Sequence, residues 1–82
     1  MEITIKRMNK VSMGRTRAFV DAIINGLSIH GFKVIEGNNG LFVSNPSEKT
    51  KLGKYSDTVM FVDMKDKEEF QRVVLEHYNN LA

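Results

Sequence analysis

The sequence has no cysteine, which removes disulfide bonds and thiolate-held metals together. It has no tryptophan and a single proline, Pro46. No run approaches the roughly 18 consecutive apolar residues that a membrane-spanning helix needs. The opening residues, Met1-Glu2-Ile3-Thr4-Ile5-Lys6, lack a basic stretch followed by a long apolar one, so no signal peptide is expected. Taken together, these absences predict a cytoplasmic protein that contacts no membrane. Excess charge of one sign is also small, at +2 overall.

What is present fits one domain covering residues 1–82. A hydrophobic content of 41% with 27% charged residues reads as a folded chain, not a disordered one. A domain this small buries only a little over ~60% of its unfolded surface, so its core is thin. Without disulfides, association with a second copy is the most accessible reinforcement.

The charge is unevenly placed. Residues 1–20 carry Lys6, Arg7, Lys10, Arg15 and Arg17 against Glu2 alone. Residues 48–54 carry Lys49, Lys51 and Lys54 against Glu48. Residues 57–76 hold six acids against three cations. A basic patch attracts a phosphate backbone through counterion release, although charges separated in sequence need not be separated in space.

The pattern along the chain predicts β-β-β-β-β-α. Ile3 and Ile5 alternate with Thr4 and Lys6 as in a half-buried strand over residues 2–8. After a turn at Gly14, Ala18, Val20, Ala22 and Ile24 alternate with Arg15, Arg17, Phe19 and Asp21. Asn25-Gly26 is the hairpin dipeptide of a type I′ turn. A third strand, Leu27 to Glu36, loses its alternation around Gly31, which predicts a bulge. Gly37-Asn38-Asn39-Gly40 is a turn of residues that tolerate left-handed φ, and Leu41-Phe42-Val43 a short strand ended by Asn45-Pro46. Residues 47–56 read as a polar, basic loop, and the apolar Thr58–Val62 as a fifth strand. A helix is expected over 66–81, with Asp66 and Glu69 as its capping box and Phe70, Val73, Val74, Tyr78 and Leu81 as one apolar stripe. The fold class is therefore α+β: an antiparallel sheet of about five strands followed by one C-terminal helix. One helix covers part of one sheet face, so a homodimer formed through the sheet is expected.

No enzymatic constellation emerges. The two histidines, His30 and His77, fall on a strand and on the helix, without metal-ligand spacing and without a nucleophile beside them. Gly37-Asn38-Asn39-Gly40 matches neither phosphate-loop nor dinucleotide patterns. Neither a cofactor nor a small-molecule substrate is expected. Lys49, Lys51, Lys54 and Tyr55 share one loop, where lysines suit phosphates and a tyrosine suits a base. The helix is a poor recognition helix, since its acidic first turn repels phosphate.

The stretch Val34-Ile35-Glu36-Gly37-Asn38-Asn39-Gly40-Leu41-Phe42-Val43, followed by Pro46-Ser47-Glu48-Lys49-Thr50, resembles the core signature of the SpoVG family (stage V sporulation protein G, septation regulator). Gly14-Arg15 to Ala18, Gly53 to Asp57, and a C-terminal helix ending near Tyr78 extend that resemblance over nearly the whole chain. It implies a small sheet protein with a C-terminal helix that dimerises through its sheet. It also implies binding to DNA, in some members to RNA, and a role in gene expression, septation or sporulation. The family's basic loop, implicated in DNA contact, falls here on Ser47, Glu48, Lys49 and Thr50. Two departures mark a divergent member: Glu48 stands where a cation is usual, and no proline follows near Met60-Phe61. The expected nucleic-acid-binding residues are Ser47, Lys49, Thr50, Lys51 and Lys54, with Arg15 and Arg17 as lesser candidates. The alternative is a protein-interaction module that modulates cell division without touching nucleic acid.

Overall fold

Alternation along the chain sets the sheet. The computed structural model describes residues 1–81; Ala82, the last residue of the expected domain, lies outside the described residues. Strands β1 (Ile3–Met13), β2 (Thr16–Ile24), β3 (Leu27–Gly37) and β4 (Gly40–Ser44) form one antiparallel sheet in sequence order. Along β2, Ala18, Val20, Ala22 and Ile24 are buried at every second residue, as their spacing predicts. Phe32 and Val34 of β3 and Val43 of β4 complete the buried face of the sheet.

Each tight connection has a backbone reason. Asn25 and Gly26 both take positive φ, 50° and 83°, as a type I′ turn requires. Asn25 also ties down the start of the chain, because its side-chain Oδ1 accepts from the Glu2 N–H at 2.8 Å. At Gly31 the register jumps: Val20 faces Phe32, but Asp21 faces His30, so Gly31 is the extra residue of a bulge. Its φ of +103° suits glycine, and a Cβ added there would meet the Pro46 ring at 3.4 Å. In the β3–β4 turn the positive φ falls on Gly40, at 117°, and not on the two asparagines.

The sheet has four strands, not five. Residues expected as a polar loop instead form a separate two-stranded ribbon, β5 (Ser47–Lys49) with β6 (Tyr55–Asp57). The expected fifth strand, Thr58–Val62, is irregular chain. The reason lies at the free edge of β4, where the Val43 N–H donates to Oε1 of Gln71, 3.1 Å away, so the helix occupies the place a further strand would take. Phe61 packs against Phe70 instead, with ring centroids 5.2 Å apart, while Met60 and Val62 stay exposed.

Helix α1 (Met64–Asn80) begins two residues before the expected start. Its N-cap is Asp63, whose carboxylate accepts from the Lys65 N–H at 2.9 Å, so the box expected at Asp66 and Glu69 does not cap it. Phe70 and Val74 are its buried residues, and Phe70 meets Phe32 at 4.5 Å between ring centroids. At the far end, the Lys10 Nζ of β1 lies 4.5 Å from the Tyr78 ring and donates to the Leu81 carbonyl at 3.1 Å. The helix thus crosses the sheet from β4 to β1 and covers one face only.

Candidate nucleic-acid interface

The ribbon projects from a fixed root. Pro46, buried against the Gly31 bulge, accepts at its carbonyl from the Thr58 N–H at 2.8 Å and from the Thr58 hydroxyl at 3.2 Å. Beside it the Asn45 amide donates to the Asp57 carboxylate at 3.2 Å. The ribbon is then held by its own ladder, with Ser47 opposite Asp57, Glu48 opposite Ser56 and Lys49 opposite Tyr55.

At the tip, the Thr50 N–H donates to the Lys54 carbonyl at 2.6 Å and the Gly53 N–H to the Thr50 carbonyl at 3.0 Å. Thr50-Lys51-Leu52-Gly53 is therefore a hydrogen-bonded β-turn closed by a left-handed glycine, Gly53 at φ +80°. Lys51 and Leu52 occupy its two central, outward positions, and Leu52 is 85% exposed. Ser47, Lys49, Thr50, Lys51 and Lys54 are all exposed, and the structure gathers these five expected residues onto one ribbon.

Opposite residues of an antiparallel pair share a face, and neighbours along a strand alternate. Lys49 and Tyr55 therefore lie side by side on one face of the ribbon, while Glu48 and Ser56 lie on the other. Glu48 thus points away from the Lys49–Tyr55 face, which Asp57 shares at the root end. The remaining acids sit at the root: Asp57 is bonded to Asn45, and Asp63 caps the helix. Charge along the ribbon runs from acidic at the root to basic at the tip.

Arg15 and Arg17 lie elsewhere. Arg15 reaches Asn38 Oδ1 at 3.4 Å, and Arg17 pairs with Glu36 at 2.9 Å while also donating to the Gly14 carbonyl at 2.6 Å. They join the β1–β2 turn to the β3–β4 turn. Five strand residues, about 17 Å at the usual rise, separate Glu36 from the Gly31 bulge on which the ribbon is rooted. Tyr55, 73% exposed, was legible as a loop aromatic, but its pairing with Lys49 depends on a ribbon register that no spacing rule announced.

A second surface adjoins the root. Met60, Val62 and Met64 are 63%, 104% and 64% exposed around an open cleft that Asn45, Asp57, Phe61 and Lys67 also line. On the helix-free face of the sheet, Phe19, Ile23, Ile35 and Phe42 are only part-covered.

A four-stranded antiparallel sheet, one crossing helix and a basic ribbon define a small α+β protein with its polar groups on a projecting arm and not in a cavity. The sequence profile of the SpoVG family matches residues 1–80. The chain is 37% identical to a protein of Clostridium perfringens strain SM101 named "Putative septation protein SpoVG", over 99% of this chain and 92% of that relative. Proteins of the same name from Clostridium botulinum strain Alaska E43 (39% identical, 95% of this chain, 88% of the relative) and Clostridium novyi (36% identical, 95% and 80%) are similar. This chain belongs to the SpoVG family.

Proposed function

We propose that this chain is a nucleic-acid-binding regulator of gene expression, septation or sporulation, acting in the cytoplasm as a homodimer. DNA is its first ligand and RNA its second. The observation that carries the reading is the ribbon tip: Lys49, Lys51 and Lys54 stand exposed with no acid between residues 49 and 54. Exposed lysines on a rigidly rooted arm are suited to phosphate oxygens, and the Ser47 and Thr50 hydroxyls supply further donors. The part-covered apolar side chains on the helix-free sheet face support self-association, since a second copy is the simplest cover for them.

In an anisotropy titration at low salt, Lys49→Glu with Lys51→Glu weakens binding to labelled DNA. It also lowers the salt slope by about two, one per lysine lost, and leaves the thermal midpoint unchanged because both residues are exposed. Failure of the wild-type protein to bind any DNA or RNA at low salt refutes the proposal.

The exposed Met60, Val62 and Met64 favour a second reading, a protein-interaction module of cell division. A partner retained at high salt, released by Met60→Lys with Val62→Lys, and joined to absent nucleic-acid binding selects that reading instead.

A further inference from the structure

The ribbon has two unlike faces, and that asymmetry selects among nucleic acids. A ribbon inserted into a duplex groove meets base edges on one face and phosphate walls along its two sides, never the flat face of a base. Here one face carries Lys49 and Tyr55, with Asp57 at the root end of the same face, and the other carries Glu48 and Ser56. A single strand lies along one face only and leaves Glu48 in solvent. A duplex also buries the flat faces of its bases, whereas an unpaired base offers one to an aromatic ring. Tyr55 is 73% exposed, and among the described residues its side chain forms no hydrogen bond and packs on no other aromatic ring.

We infer that the β5–β6 ribbon recognises unpaired bases: Tyr55 stacks on a base while Lys49, Lys51 and Lys54 hold the flanking phosphates, so single-stranded nucleic acid is its ligand class. This rests on the nucleic-acid reading above and narrows it. Oligothymidylate and oligouridylate share the required chemistry, a base face beside a phosphate, and Tyr55 discriminates little between them. Leu52, at the outermost point of the turn, sits where it can lie against a neighbouring base.

The test uses fluorescein-labelled oligothymidylate and oligouridylate of about 12 nucleotides, within the usual span of one such site, and a duplex of equal length. Tyr55→Ala lowers affinity for both single strands about tenfold, the ordinary yield of one lost stack. Its salt slope is unchanged, because no phosphate contact is removed. Tyr55→Phe restores binding. The chain has two tyrosines, Tyr55 and Tyr78, so in a Tyr78→Phe protein the tyrosine emission reports Tyr55 alone and is quenched by oligothymidylate.

Single-strand affinity that survives Tyr55→Ala while Lys49→Glu with Lys51→Glu abolishes it overturns the stacking and leaves the broader reading standing. Tighter wild-type binding to the duplex than to either single strand does the same. Loss of all binding by the wild type removes both. A Tyr55→Ala protein that sediments as a smaller species than wild type overturns the inference by placing Tyr55 in a contact between copies.

Discussion

Phe70 joins three parts of the chain: its own helix, Phe32 on β3 and Phe61 on the irregular segment. It is 1% exposed in a core that has nine buried hydrophobic residues among those described. Phe70→Ala therefore costs about 3–5 kcal/mol. For a domain this size that is a large share of an expected ~4–12 kcal/mol, and urea denaturation followed by circular dichroism reads it directly. At the helix start, Asp63→Ala costs about 1 kcal/mol, the usual value of a lost N-cap, and Asp66→Ala costs less in the same assay. Both Asp63 and Asp66 sit ahead of apolar residues, so the capping pattern alone does not choose between them. The choice falls to Asp63 because Phe61 packs inward on Phe70, which turns the chain into the helix immediately afterwards.

The elements differ in how plainly they could be read. The alternation of buried and part-covered residues in β2, the Asn25-Gly26 turn and the Gly31 bulge all follow from local rules, and each stands where those rules put it. Thr58–Val62 shows the limit of such rules. A run that is apolar at nearly every position suits a strand covered on both faces, but a strand also needs a free edge to pair with. Gln71 and the helix take that edge at β4, a tertiary fact that periodicity does not carry. The ribbon was missed for a related reason: two three-residue strands are too short for alternation to register. The lysines of the site were nevertheless legible as a cluster, while the opposition of Lys49 to Tyr55 and of Glu48 to Ser56 was not. Gly53→Ala tests the ribbon as a unit. At φ +80° an alanine is strained by about 1 kcal/mol or more, and hydrogen exchange at Thr50 accelerates while the β2 amides stay protected.

At the scale of the whole molecule, the helix spans the sheet and is fastened near both edges, by Gln71 to β4 and by Lys10 to the last helical turn. That arrangement commits the helix to one face and leaves Phe19, Ile23, Ile35 and Phe42 on the other. If a second copy covers them, Ile23→Lys with Phe42→Lys converts a sedimenting dimer into the 9.4 kDa chain and leaves the isolated fold intact. A wild-type protein that sediments as the single chain at micromolar concentration contradicts the dimer outright. Chain size, the single helix and the family resemblance all pointed to self-association as an expectation, and the sheet face left uncovered becomes visible only when the helix is placed.

The seating of Pro46 on the Gly31 bulge separates two kinds of change that a small protein usually cannot make independently. The ribbon from Ser47 to Asp57 hangs outside the hydrophobic interior, so residues 50–54 are open to replacement, lengthening or recharging without repacking a single interior side chain. The surface of the arm is thus free to drift over generations while the body that carries it stays the same.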